Sequence, residues 1–140
     1  MDIDYAITPL VAWLAAGSSK FLINSIKARQ WAFGQIGYGG LPSNHSAIVS
    51  SAAAMVFFKE GIDHPAFGIA VALMFIVILD ASSLRQQIGR HATAINRLNR
   101  HHETPALRER IGHTRLEIVA GIGVGILTAW MIARLPGLLI

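Results

Sequence analysis

The sequence predicts a single all-α domain over residues 1–140, an integral membrane bundle of about four transmembrane helices with one basic amphipathic helix at the interface. The chain is 53% hydrophobic and only 14% charged, against about 25% charged residues in an ordinary soluble domain. Its mean hydropathy is +0.48. The apolar residues form long blocks rather than the one-sided stripe of a soluble helix, and one later segment is rich in arginine instead.

Charge and cysteine content exclude several classes of protein. The net charge is +4 and the pI about 10.1, but the basic residues are confined to particular loops. We therefore interpret them as topology signals and anion-binding groups rather than as a nucleic-acid surface. The chain has no cysteine, which excludes disulfides, thiolate metal sites and a thiol nucleophile. The acidic residues 1–5 argue against a cleaved signal peptide, whose first region is basic.

The first two predicted crossings flank a glycine-rich loop at residues 31–40. Residues 5–26 form the first apolar segment, which is interrupted by residues 17–20. Lys20 within that interruption is costly in a membrane unless it snorkels or meets an anion. Residues 46–58 form the second segment, shorter than the roughly 20 apolar residues of a full span. It can cross only if the preceding turn is submerged or if the helix packs inside the bundle.

The third crossing is predicted at residues 66–79 and is followed by a segment of different character. Residues 86–102 are basic and amphipathic, which predicts a helix at the membrane surface or capping the bundle. The residues near its apolar face are Ile88, Ala92, Ile95 and Leu98.

The last crossing is predicted at residues 116–132. It contains Gly121, Gly123 and Gly125, whose spacing would let another helix approach closely.

Loop charges predict the orientation of the bundle. The first loop carries Lys27 and Arg29, whereas the second has only Lys59. Because basic residues favour the cytoplasm, both termini should be outside, with four crossings between them. Three polar motifs then emerge at the same cytoplasmic face. The arginines in or beside the third loop are Arg85, Arg90, Arg97, Arg100, Arg108, Arg110 and Arg115.

The first of these motifs is the turn Gly39-Gly40-Leu41-Pro42-Ser43-Asn44-His45-Ser46-Ala47. Its glycines and proline forbid a regular helix, and Ser43, Asn44 or Ser46 can cap the apolar run that follows. The start of that helix leaves backbone N–H groups unpaired, which suits an anion such as phosphate. His45 could donate a proton to such an anion. Taken alone, a capped helix with an incidental histidine is the simpler interpretation.

The other two motifs add charges and a second histidine. Asp80 and Arg85 at the end of the third crossing suit either a structural ion pair or phosphate binding. His113 and Glu117 are spaced i, i+4, so the carboxylate can reach the imidazole. A carboxylate on one ring nitrogen selects the tautomer that leaves the other as a nucleophile or base. A surface His–Glu pair is the alternative, but together the motifs suit phosphoryl transfer.

The ordered motifs resemble the divergent branch of the phosphatidic acid phosphatase type 2 superfamily, also called acid phosphatase/vanadium-dependent haloperoxidase-related. The likeness runs from about Lys20 to Gly125. It implies a membrane phosphatase that hydrolyses a lipid phosphate or pyrophosphate through a phosphohistidine intermediate. It also implies no metal or other cofactor, and vanadate as a phosphate-mimicking inhibitor. The residues that carry it are the turn motif, Asp80-Ala81-x-x-Leu84-Arg85-x-x-x-Gly89, and Gly112-His113-Thr114-x-x-Glu117-Ile118-x-x-Gly121.

The resemblance also assigns roles to individual residues. His113 corresponds to the nucleophile, Glu117 to the acid that orients it, and His45 to the general acid. Glu117 stands where the wider superfamily has aspartate. The substrate phosphate would be bound by Lys20 and Arg85, with turn contacts from Ser43 and Asn44.

One superfamily arginine has no counterpart, because its position six residues before the nucleophile is occupied by Leu107. Arg85, Arg108 or Arg110 must substitute for it. The candidates for supporting charges are Asp80, Arg29 and Arg110.

The expected partners are membrane lipid and a lipid phosphate substrate, without nucleic acid. A thin bundle of four short helices is compatible with a homo-oligomer. The expected location is a bacterial cytoplasmic membrane, with the site on the cytoplasmic face. Two alternatives stay open: a non-enzymatic relative that binds or moves anionic lipid with the same cations, and vanadate-dependent, peroxidase-like oxidation. The oxidation ranks last because a lipid phosphatase has no obvious need for it.

Overall fold

The computed structural model describes residues 3–31, 40–99 and 105–134. The predicted apolar segments are confirmed as helices whose ends lie within two residues of the expected ones. Most of the loop at 31–40, including Gly39 of the turn motif, lies outside the described residues, as do residues 100–104 at the end of the predicted basic helix. The elements are α1 (Asp4–Ala28), α2 (Asn44–Glu60), α3 (Pro65–Leu79), a π-helical turn (Asp80–Leu84), α4 (Arg85–Leu98) and α5 (Arg115–Arg134).

The helical membrane bundle expected from the sequence is confirmed. Three helices of the described chain are long and apolar enough to cross a membrane: α1, the continuous helix Pro65–Leu98, and α5. The shorter α2 has 17 residues, seven of them buried, and it packs against α1, α3 and α5. Packing inside the bundle was one of the two conditions under which the sequence allows the short second crossing.

α1 and α2 run antiparallel along the length of the bundle. Asp4 at the start of α1 forms an ion pair with Lys59 at the end of α2. At the other end, Gly17 of α1 lies beside Asn44, so that a Cβ at Gly17 would be 3.8 Å from the Asn44 side-chain nitrogen. α1 passes through residues 17–20 without a break. The first residues of α2 are therefore held against the second half of α1.

α2 and α5 run parallel and approach closely. The Ser50 hydroxyl lies between them, donating to Ser46 O at 2.6 Å and lying 3.4 Å from Ile122 O of α5. A Cβ at Gly125 would overlap the Ser50 hydroxyl and the Ala47 carbonyl, and would lie 2.9 Å from Ser51 N. The predicted glycine-mediated helix contact is therefore confirmed at Gly121 and Gly125, whereas Gly123 does not take part in it. As a consequence, both helices begin at the same end of the bundle.

Gly125→Ala is expected to destabilise the protein by about 1–3 kcal/mol, the usual cost of overpacking a well-packed interior. The neighbours of the added methyl group include the backbone of α2, which cannot move aside as a side chain would. Thermal unfolding in detergent measures the effect. Gly123→Ala is the matched control, since a Cβ at Gly123 meets nothing within 4 Å. Equal stability of the two variants would contradict the close α2–α5 contact.

The predicted basic helix is not a separate element, because α4 continues from α3 through the π-helical turn. The continuous helix Pro65–Leu98 has 34 residues, or about 51 Å of length, against about 30 Å of hydrocarbon. Its α4 end therefore projects beyond the hydrocarbon region. The sequence anticipated the amphipathic character of this helix, but not its direct continuation from the third crossing.

Residues 105–111, which we call the strap, lie along α4 and lead into α5. The Asn96 side chain pairs with the backbone of Leu107, donating to its carbonyl and accepting from its N–H at 2.8 Å each. The Glu109 carboxylate accepts hydrogen bonds from Asn96 and Thr93 at 2.8 and 2.9 Å, and these bonds lower the pKa of Glu109. Gly89 lets the strap come close, since a Cβ there would overlap the Glu109 carbonyl. The strap thus ties α4 to the start of α5.

Candidate functional site

His113 lies between the strap and α5, and its main chain is held on both sides. Gly112 precedes it with φ +97°, a conformation that favours glycine. The His113 N–H donates to the Ala81 carbonyl at 3.0 Å. The His113 carbonyl accepts a hydrogen bond from Gln86 Nε2 at 3.1 Å. Both partners come from the π-helical turn or the first turn of α4.

The imidazole of His113 is held by Glu117. Nδ1 lies 3.1 Å from Glu117 Oε2, and both residues are buried, each 9% exposed. Since a carboxylate oxygen accepts a hydrogen bond from Nδ1–H, Nε2 is left as the nitrogen that can react. The pairing expected from the i, i+4 spacing is therefore present.

The same carboxylate also caps α5. Glu117 Oε2 accepts the Thr114 N–H at 3.0 Å, while the Glu117 N–H donates to Thr114 Oγ1 at 3.3 Å. This reciprocal pair is a capping box, in which the third helical residue must reach back to the capping residue. Glutamate or glutamine suits that geometry, which gives a physical reason for glutamate where the wider superfamily has aspartate.

His45 faces His113 from the first turn of α2. Ser43 caps this helix, its Oγ accepting the Ser46 N–H at 3.3 Å. His45 is exposed, and its ring centroid lies 6.3 Å from that of His113. The two imidazoles are therefore neighbours where the starts of α2 and α5 meet.

A direct contact between the turn and α5 brings the two histidines together. The Ser43 N–H donates to the Glu117 carbonyl at 2.9 Å. A Cβ at Gly121 would overlap the Ser43 carbonyl and lie 3.0 Å from Ser46 Cβ, so this approach requires glycine. The N-termini of α2 and α5 are therefore adjacent, and their partial positive charges both favour an anion near the histidines.

Two cations lie near the histidine pair. Arg85 donates from Nε to Asp80 Oδ2 at 2.6 Å, which leaves the terminal nitrogens of the guanidinium outside this bond. Lys20 of α1 lies beside the turn that leads into α2, since a Cβ at Gly40 would be 3.9 Å from Lys20 Cγ. The structure thus places Lys20 of α1, Arg85 and the histidine pair at one end of the bundle.

The remaining sequence-predicted residues differ in their placement. Ser43 is fully buried and engaged as the helix cap, so a phosphate contact through its hydroxyl would require breaking the cap. Asn44 Oδ1 is buried without a hydrogen-bond partner among the described residues. Arg29 and Arg110 are exposed, and no contact within the described ranges links either side chain to the histidines. Arg108 lies on the strap, where its Nε donates to the Arg110 carbonyl at 3.2 Å.

Sequence reasoning missed three groups that support the histidine pair: the Ala81 carbonyl and the Gln86 amide, which bond to the main chain of His113, and Thr114, which bonds to Glu117. The pattern Thr114-x-x-Glu117 is a capping-box signature and could have been found in advance. Ala81 and Gln86 carry no comparable signal, because their contacts depend on a π-helical turn that residues 80–84 do not predict.

Comparison with known proteins agrees with the motif pattern. A family model described as "Divergent PAP2 family" matches residues 2–128, a range that contains all three motifs. The chain is 30% identical over 112 residues to the uncharacterized membrane protein YuiD of Bacillus subtilis (strain 168), covering 68% of this chain and 71% of YuiD. No solved structure matches the chain.

Proposed function

Since the chain belongs to the Divergent PAP2 family, we propose that it is a membrane phosphatase that hydrolyses a lipid phosphate or pyrophosphate through a phosphohistidine intermediate. The observation that carries the proposal is the His113–Glu117 pair, in which Nε2 of His113 is left to react. The ring of His45 lies opposite, with 6.3 Å between the two ring centroids. An incidental surface pair would not need a buried carboxylate, a fixed main chain and a second histidine opposite.

In the first step, the lone pair of His113 Nε2 attacks phosphorus and the bond to the leaving oxygen breaks. His45, in its protonated form, transfers a proton to that oxygen as it leaves. The imidazole gains positive charge as the N–P bond forms, and the Glu117 carboxylate stabilises that charge. In the second step, His45 takes a proton from water as the water oxygen attacks phosphorus, and the N–P bond breaks to release phosphate.

In this proposal, groups that lie at this end of the bundle bind the phosphoryl oxygens. Lys20 and Arg85 supply positive charge, and the adjacent N-termini of α2 and α5 supply oriented backbone dipoles. Asn44 is partly buried and precedes His45, so its side chain would contact the phosphate from the turn. Positioning and charge stabilisation supply most of the catalysis in phosphoryl transfer, and these groups provide both.

The proposed function is tested by phosphate release from purified protein in detergent, assayed against a panel of lipid phosphates and lipid pyrophosphates. Release that vanadate inhibits is expected, because vanadate mimics the five-coordinate phosphorus of the transition state. Folded protein that releases no phosphate from any lipid, yet binds vesicles of anionic lipid, would instead support the non-enzymatic alternative.

The site is expected on the cytoplasmic face of the membrane. Reporter fusions near Asp63, in the turn between α2 and α3, and near Arg100 should report opposite compartments, with Arg100 cytoplasmic. A cytoplasmic Asp63 would place the site at the other leaflet and change the substrate pool. The chemistry of the histidine pair would be unaffected by that result.

His45→Ala is expected to lower turnover most for substrates with poor leaving groups. General acid catalysis typically contributes about 10²–10⁴-fold and matters less when the leaving oxygen is already stable as an anion. Comparing an alkyl phosphate lipid with an activated aryl phosphate ester measures this difference. His64→Ala is a suitable histidine control, since His64 caps α3 at the opposite end of the bundle. The rate of leaving-group release in the first turnover isolates the first step, and an equal loss of that rate on both esters would remove His45 from the general-acid role.

A further inference from the structure

The π-helical turn Asp80–Leu84 changes the hydrogen-bond partners of the third crossing next to the site. In an α-helix the Ala81 carbonyl would accept the N–H of Arg85, four residues ahead. In this turn the Arg85 N–H donates to the Asp80 carbonyl instead, five residues back. The Ala81 carbonyl is thereby released from that bond, and it accepts the His113 N–H at 3.0 Å.

Gln86 completes the attachment from the residue after Arg85. Its Nε2 donates to the His113 carbonyl at 3.1 Å. Gly112 permits the approach, because a Cβ there would lie 2.9 Å from Gln86 Cγ and 3.4 Å from the Ala81 carbonyl. The N–H and the carbonyl of His113 are therefore both bound to one short stretch of the continuous helix, from the π-helical turn to the first turn of α4.

The same stretch carries Arg85, whose Nε is held by Asp80 across the turn at 2.6 Å. The guanidinium and the imidazole belong to different helices that are far apart in sequence. Without a connection, small movements of α4 relative to α5 would change the distance between a phosphate-binding cation and the nucleophile. A misplacement of about 1 Å can cost about 10²-fold in rate.

We propose that the π-helical turn is a positioning element that sets His113 relative to Arg85, and that Gln86 is a positioning residue of the reaction. Its role in catalysis rests on the proposed function; its effect on the His113 ring does not. Gln86 holds the His113 carbonyl, and with the Ala81 carbonyl it keeps the imidazole in the orientation in which Nδ1 bonds to Glu117.

The test compares Gln86→Ala with Gln87→Ala, which removes a neighbouring glutamine that is also exposed. In protein with ¹⁵N-labelled histidine, ring-nitrogen shifts report which nitrogen of His113 carries the proton, whether or not the protein is active. Wild type and Gln87→Ala should show a single tautomer protonated at Nδ1. Gln86→Ala should show averaging between tautomers, and Gln86→Arg, which keeps an N–H donor, should restore the single form.

Turnover provides the second readout. Gln86→Ala should lower kcat by roughly two- to tenfold, the usual effect of one lost hydrogen bond, with KM unchanged because Lys20 and Arg85 remain. Vanadate inhibition should weaken by a similar factor, because vanadate mimics the transition state that His113 helps to form. Identical ring spectra in wild type, Gln86→Ala and Gln87→Ala would overturn the inference even if the enzyme is active. A wild-type protein that releases no phosphate would overturn the proposed function instead, and the ring spectra would still decide whether Gln86 positions His113.

Discussion

His113→Ala is expected to reduce phosphate release to background. The variant removes the proposed nucleophile, so the covalent route is closed. The fold should survive, because two of the contacts that position residue 113 use its main chain: its N–H donates to the Ala81 carbonyl and its carbonyl accepts from Gln86. The variant also loses the buried hydrogen bond between His113 and Glu117, which should cost about 1–3 kcal/mol of stability. A cooperative thermal transition in detergent, lowered by no more than that loss, separates loss of chemistry from loss of structure.

The proposed phosphohistidine intermediate can be trapped in a rapid-quench experiment with the same variant. Wild-type protein mixed with radiolabelled substrate and quenched without acid should retain label on histidine, since phosphohistidine is acid-labile. His113→Ala should carry no label, whereas His91→Ala, which changes an exposed histidine of α4, should be labelled and active like wild type. Label retained in His113→Ala would mean that the nucleophile is a different residue.

The crossings could be predicted from the sequence because membrane helices need long apolar segments, and hydropathy marks these directly. Even the short second crossing was recognised, since burial by neighbouring helices compensates for its length. The continuity of α3 and α4 could not be predicted in this way. Residues 80–90 change from apolar to basic, which suggests a break, whereas the backbone continues through a π-helical turn that its residues do not specify.

The central part of the site was predictable because its chemistry depends on local spacing. His113 and Glu117 meet across one helical turn, and His45 follows the cap of α2, so both features are visible in short sequence windows. The hydrogen bonds to the main chain of His113 could not be predicted, because they join residues that are 27 and 32 positions apart in the chain. Ser43 was among the helix caps predicted from the sequence, and it is confirmed as the cap of α2. The phosphate contact that the resemblance implied for it would require breaking that buried cap.

Glu117→Gln is expected to lower phosphate release by up to about 10⁴-fold, the loss seen when a comparable carboxylate that supports a catalytic imidazole is replaced by an amide. Glutamine has the same length and can still accept the Thr114 N–H, so the capping box should persist. What is lost is the negative charge that stabilises the cationic imidazole as the N–P bond forms. The expected result is therefore a folded, nearly inactive protein.

Thr114→Ala provides the opposite change and separates the two functions of the carboxylate. It removes the hydroxyl that accepts the Glu117 N–H and should cost about 0.5–2 kcal/mol of stability, as for other helix caps. The charge beside His113 is retained, so turnover measured well below the unfolding temperature should stay within a few-fold of wild type, a loss on the order of that for one hydrogen bond. If Glu117→Gln kept its activity and lost only stability, Glu117 would be a capping residue alone, and the imidazole of His113 would need no carboxylate to react.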